Sequence, residues 1–322
     1  MKDILTKIIE QRKKNIARLG LNFGCSIPEK RERPIHPFMA EKGLVLEVKR
    51  ASPSKGDIAP KLDSYKTAFS YASSGAKAIS CLTETNYFKG TLNDLMNVCH
   101  AADDFEKQTS NLAPAVLRKD FLLSAEEIEI AYRAGADAVL LIARILDKET
   151  FLQMAKKVCE LGFYALVEVR SEEDLEKLDF VMRCVEKSHF VCGVNSRDLA
   201  TFKIDLLKPL MMKEKISAIM GKDAKIIFES GVTTSECTHV VGSMGFSGIL
   251  LGEAAAKNPE LAMKFVRAFE NSNPTRNAKF WAEYAKKLSG LKNGNDTLIK
   301  ICGLTRIEDA RLAVFALLSI TS

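Results

Sequence analysis

The chain has 322 residues, 47% of them apolar and 27% charged, proportions that support a large buried core and exclude a disordered or collagen-like polymer. Its net charge of +6, from 47 Lys and Arg against 41 Asp and Glu, is mixed along the chain, which suits a small anionic ligand better than nucleic acid. No uninterrupted apolar run approaches the roughly 18 to 20 residues of a membrane span.

The opening MKDILTKIIEQRKKN carries charge throughout and reads as an amphipathic helix, Ile4 to Leu19, without the apolar centre and cleavage site of a secretory signal. With the Pro- and charge-rich stretch through Pro34-Ile35-His36-Pro37 it forms an expected N-terminal extension, residues 1–43. Eight scattered cysteines without a CxxC pair read as reduced core thiols, which makes the cytoplasm the expected compartment.

Eight short runs rich in Val, Ile, Leu and Phe follow, separated by segments long enough for a helix: 44–49, 76–83, 113–119, 137–143, 163–169, 189–195, 225–229 and 247–251. That alternation predicts parallel βα units, and eight of them with right-handed crossovers close into a (β/α)8 barrel over residues 44–270. An open doubly wound sheet is the alternative, but no GxGxxG follows the first run. Ser124 and Glu127 have the spacing of a helix capping box, and Gly75 and Gly135 stand where a helix stops before a strand. Residues 271–296 read as a break, a helix with Phe280, Tyr284 and Leu288 on one face, and a linker. Residues 297–322 read as one further βα unit, which cannot bury its own apolar surface.

Active sites of such barrels lie at the C-terminal ends of the strands, and here those ends are rich in ionisable residues. Glu47 and Lys49 share one side of the first run, which faces either the interior or the helix layer; a structural ion pair is the plainer reading. Lys119 and Glu168 end the third and fifth runs, with solvent-facing rim charges as their plainer reading. Asn195 ends the sixth run, and Glu229 with Ser230-Gly231 the seventh. Gly252-Glu253 follows the eighth. Glycine pairs in these two consecutive loops point to a phosphate held by backbone N–H groups. The four histidines stand at none of these ends, and no spacing marks a metal site, so neither metal nor cofactor is expected.

The phrases EVKRASPSKG, CLTETNYFKG, VLRKDF, ADAVLLIARIL, ALVEV, GVNSRDL, ESGV and ILLGE, in order along about residues 3–268, resemble indole-3-glycerol phosphate synthase. The resemblance implies that 1-(2-carboxyphenylamino)-1-deoxyribulose 5-phosphate is closed to indole-3-glycerol phosphate with loss of CO2 and water, a step of tryptophan biosynthesis. It assigns the general acid to Lys119 and the base to Glu168; Lys49 holds the substrate carboxylate and is a candidate second acid. Glu47, Asn195 and Ser230 match supporting polar positions beside Glu229; Leu82, Phe88 and Phe121 match the ring pocket; Arg197 matches a position near the lid. Ser52, Gly231, Gly252 and Glu253 match the phosphate surroundings. Ala254-Ala255-Ala256 departs from the Leu and Met usual after the phosphate-binding glycine.

The terminal IKICGLTRIEDA separately resembles the first βα unit of phosphoribosylanthranilate isomerase, with Cys302 at the catalytic position. Since the pattern stops there, a truncated fusion without isomerase activity is expected. The implied partner is a small phosphorylated molecule, with neither nucleic acid nor membrane, and a monomer lacking its partner domain is expected. Two other readings compete. One is a barrel whose Lys119 or Lys49 forms a Schiff base, or performs isomerase-type chemistry, on a phosphorylated ketone; the other is an inactive paralogue serving as a binding module.

Overall fold

The computed structural model describes residues 4–197, 204–257 and 259–272, with isolated positions between 280 and 312. The chain divides into two compact units, 1–281 and 282–322. In the second unit, residues 307–309 and 311–312 are helical and Arg306 pairs with Asp309 at 3.0 Å. The strand expected to begin in LIKICGLT, residues 298–305, with Cys302, and the linker at 289–296 lie outside the described residues.

The first unit is the expected barrel. Strands β1 (Gly43–Val48), β2 (Ala78–Leu82), β3 (Ala115–Lys119), β4 (Ala138–Ile142), β5 (Tyr164–Val169), β6 (Phe190–Asn195), β7 (Ile226–Glu229) and β8 (Gly248–Leu251) pair in parallel, and β8 closes on β1. Each run is a near-continuous apolar stretch because both faces are covered, by helices outside and by the packed interior within. Val45, Ala78, Leu117, Leu140, Leu166, Val191, Ile227 and Leu250 fill that interior. A two-stranded ribbon, Ala51–Ser52 against Gly56–Asp57, rises from the end of β1.

Gly75 and Gly135 follow helices Ser64–Ser73 and Ala125–Arg133 with φ of 91° and 96°, the left-handed turn that lets the chain reverse into the next strand. The capping box expected at Ser124 does not form. Ser124 precedes the helix in extended backbone without a side-chain cap bond, and Glu127 is fully buried, accepting instead from Leu123 N and from Arg12. The last barrel helix, expected over 259–269, is a short 3-10 turn followed by Ala262–Glu270. Cys81, Cys99 and Cys192 are buried as expected of core thiols, whereas Cys184 is exposed.

The N-terminal extension touches both ends of the barrel. Helix α1 (Ile4–Leu19) turns Leu5, Ile8, Arg12 and Asn15 inward, at the three- and four-residue spacing of one helical face. The chain then runs along helix Ala125–Arg133, where Arg133 donates to Pro28 O at 2.8 Å. At the N-terminal ends of the strands, Arg31 and Arg33 pair with the fully buried Asp137 at 2.7 and 2.8 Å, and Asp137 also accepts from the backbone N–H of His36 and Val116. Phe38 and Met39 then plug that end of the core. Among the described residues, no helix is long and apolar enough to cross a membrane.

Candidate active site

Strand periodicity decides which residues enter the barrel. Side chains alternate faces, so the interior positions Val45, Leu117, Leu166 and Ile227 force Glu47 and Lys49, Lys119, Glu168, and Glu229 inward as well. Asn195 and Gly252 follow in the same way from Val191 and Leu250. This settles the open question of Glu47 and Lys49: both face the interior, at the C-terminal end. There the strands surround a cavity of about 460 Å3, lined by Glu47, Lys49, Ser52, Leu82, Phe88, Lys119, Phe121, Glu168, Asn195, Arg197, Ser230, Gly231, Gly252 and Glu253. Glu229, alone among the expected site residues, is not in the lining, and it reaches Lys119 with one carboxylate oxygen.

Charge is concentrated and mostly compensated. Lys119 Nζ donates to Glu229 Oε2 at 2.7 Å and stands 4.0 Å from Glu47 Oε2, whose other oxygen accepts from Lys49 Nζ at 2.5 Å. Burial works against the Lys119 ammonium, but Glu229, Glu47 and Glu168 outweigh it and hold the group protonated above the usual lysine range. Burial likewise opposes the Glu47 carboxylate, yet Lys49 and Lys119 keep it below its ordinary value. Glu168 behaves in the opposite way. Burial, reinforced by the charge of Glu229, pushes it up to about 7 against the pull of Lys119 and a 3.3 Å hydrogen bond from Asn195 Nδ2. One pocket therefore holds a lysine kept charged and a carboxyl that titrates near neutrality.

The apolar half of the cavity is made by Leu82, Leu140, Ile142 and Leu250 from the strands, by Phe88 and Phe121, and by Ile4, Leu5 and Ile8 of α1 as a roof. The Phe88 and Phe121 rings lie 6.0 Å apart. Phe88 is carried on a loop gathered around Glu84, whose carboxylate accepts from the backbone N–H of Asn86, Tyr87 and Phe88 at 2.7 to 3.0 Å. On the opposite rim, Ser230 takes a left-handed φ of 68°, an uncommon conformation for a residue with a side chain, and Ser196 Oγ donates to its carbonyl at 2.9 Å. Arg197 N donates to Asn195 Oδ1 at 3.0 Å, and Arg197 bridges to Ile204 across residues 198–203, which lie outside the described residues. Among the described residues no group of three His, Cys, Asp or Glu is placed to hold a metal ion.

Sequence reasoning missed Leu140, Ile142 and Leu250, and a buried ionic cluster behind Lys119. In that cluster Asp120 accepts from Arg12 at 2.5 Å, Thr83 Oγ1 at 2.6 Å and Arg118 at 3.2 Å. The period-two pattern could have found the strand residues. Arg12 stands in an apparently solvated Arg-Lys-Lys group and carries no such signal.

A family model described as indole-3-glycerol phosphate synthase matches residues 5–269. The chain is 35% identical over 269 residues to an indole-3-glycerol phosphate synthase from Bacillus cereus (strain G9842), covering 82% of this chain and 97% of that one. A protein of the same name from Bacillus thuringiensis (strain Al Hakam) is 34% identical over 255 residues, 79% of this chain and 93% of its own. Among solved structures, 3-keto-L-gulonate-6-phosphate decarboxylase from Vibrio cholerae O1 biovar El Tor str. N16961 aligns with a TM-score of 0.50 at 13% identity, over 73% of this chain and all of that one, a likeness of fold alone.

Proposed function

The chain belongs to the indole-3-glycerol phosphate synthase family, and from that premise we propose that it converts 1-(2-carboxyphenylamino)-1-deoxyribulose 5-phosphate to indole-3-glycerol phosphate, CO2 and water. Ring closure joins an aromatic carbon to the sugar ketone, and the electron pair of the C=O bond moves onto oxygen. An ammonium fixed beside that oxygen stabilises the charge and supplies its proton, and Lys119 takes this role. Loss of CO2 from the same aromatic carbon restores the ring. Dehydration then requires removal of a proton by a base and protonation of the departing hydroxyl. Glu168 is the base, and a carboxyl titrating near 7 suits that task at neutral pH. Lys49, steadied by Glu47, holds the substrate carboxylate and is a second candidate acid for the departing hydroxyl.

Phe88, Phe121 and Leu82 hold the ring, Asn195, Ser230 and Glu229 orient the polar groups, and Arg197 stands near the lid. The phosphate is assigned to Ser52 and to the backbone N–H groups of Gly231, Gly252 and Glu253. The observation that carries this reading is the meeting of Lys119 and Glu168 in one cavity with an apolar ring pocket on one side. It also weighs against a Schiff base on Lys119, because that nucleophile must be a neutral amine and Lys119 is held charged. The setting is the cytoplasm and a small phosphorylated substrate. For residues 297–322 the resemblance to an isomerase rests on sequence alone, outside the family match that ends at residue 269, and no second activity is assigned to them.

Turnover of the purified chain, followed by indole fluorescence, tests the proposal. Lys119→Met is expected to lower kcat by roughly 10² or more. A wild-type chain that forms no indole product overturns it.

A further inference from the structure

Helix α1 buries one stripe, and that stripe changes character along its length. Leu5 and Ile8 are apolar and roof the cavity; Arg12 and Asn15 are polar and buried behind it. A cover needs only apolar residues. A guanidinium taken out of water is favoured only where its partners are fixed and complementary, so its presence points to a geometric task.

The partners of Arg12 are fixed. Its two terminal nitrogens reach Asp120 at 2.5 Å and Glu127, and with Arg118 these residues form a neutral cluster of two guanidinium and two carboxylate groups, none more than 3% exposed. Asp120 is the residue between Lys119 and Phe121. The oxygen that accepts from Arg12 also accepts from Phe121 N at 2.8 Å. Its other oxygen accepts from Thr83 Oγ1 at 2.6 Å, and Thr83 N donates to Lys119 O at 3.2 Å. The peptide groups on both sides of Asp120 are thus held through one carboxylate. One turn further along α1, Asn15 Nδ2 donates to Asn86 Oδ1 at 2.7 Å, in the loop that carries Phe88.

We propose that Arg12 is a positioning residue for ring closure: through Asp120 it sets both Lys119 and Phe121, so that seating of α1 over the cavity and alignment of the acid with the ring pocket occur together. Arg12 touches no substrate. The inference rests on the reaction assigned above and deepens it, because it makes the roof helix part of the alignment of the reacting groups.

The test compares Arg12→Met and Arg12→Lys with Arg33→Gln, each measured on the full chain with kcat divided by the folded fraction from circular dichroism. Arg33 belongs to the same extension and is equally ion-paired, but at the opposite end of the barrel. Arg12→Lys keeps the cluster neutral while losing the planar fork that serves two carboxylates, so it remains a usable variant where Arg12→Met does not fold. Arg12→Lys is expected to lower kcat roughly tenfold with a smaller change in KM, since a small misplacement of a reacting group falls mainly on the chemical step. Arg33→Gln is expected to lower the melting temperature with kcat unchanged. Wild-type kcat in folded Arg12→Lys, or equal kcat losses in the Arg12→Lys and Arg33→Gln variants, overturns the positioning role. A wild-type chain without indole product overturns the assigned reaction, and this inference with it.

Discussion

Glu229 fits beneath Lys119 because residue 193 is glycine. Glu229 Oε2 accepts from Lys119 at 2.7 Å, while Oε1 is buried without a hydrogen-bond partner among the described residues and occupies the space a Cβ at position 193 would need. Gly193→Ala therefore expels the carboxylate from its place beside the ammonium. Steady-state kinetics should show kcat lowered roughly a hundredfold, as expected when a reacting group moves by about 1 Å.

The pH dependence follows from Glu168. The proposed base must be deprotonated to act, and burial places this carboxyl at about 7, so kcat/KM should rise with pH through about 7 and level off above it. Glu168→Gln should abolish that limb. The same shift acts on stability with the opposite trend. A carboxyl whose folded value lies above its unfolded one contributes stability at acidic pH that is lost as pH rises through about 7. The urea midpoint of Glu168→Gln should accordingly exceed that of wild type above neutrality and approach it in acid.

Asp137 governs stability without entering the chemistry. It is fully buried at the far end of the barrel and answers Arg31 and Arg33, so Asp137→Asn leaves two guanidinium groups short of charge and should cost about 3 to 5 kcal/mol in denaturant unfolding, with kcat of the folded enzyme unchanged. Despite burial, its hydrogen bond from His36 and the charge of Arg33 hold its carboxyl below the ordinary range. Its contribution is therefore present at neutral pH and is lost only as acid protonates it, below the usual aspartate range.

The proposed ring pocket can be separated experimentally from the proposed acid and base. Phe88 and Phe121 face each other at 6.0 Å across the space assigned to the anthranilate ring. Phe88→Ala should raise KM roughly tenfold with a smaller effect on kcat, as expected from removing apolar contact made equally in the ground and transition states.

The barrel was legible because its strands are apolar runs of regular spacing, and the gathering of ionisable residues at the strand ends was legible too, whereas alternation fixes their facing only after one interior position is known. Once Val45 and Leu117 are core, Glu47 and Lys119 must point the same way. What was not legible depends on partners remote in sequence. Arg12 and Asp120 are separated by 108 positions, and a lysine- and arginine-rich helix reads as a solvated face until its partners are seen. Glu127 shows the reverse error. Its spacing from Ser124 promised a local cap, and a buried arginine from α1 was the stronger claimant. Helix Ala262–Glu270 begins later than expected because a 3-10 turn absorbs Pro259.

The extension is held by ion pairs at both rims, by Arg12 on one and by Arg31 and Arg33 on the other, through carboxylates that the two ends do not share. Detachment at one mooring leaves the second intact. Phe38 and Met39, the stopper of the hydrophobic interior, are thus tied down independently of the 16 residues of α1.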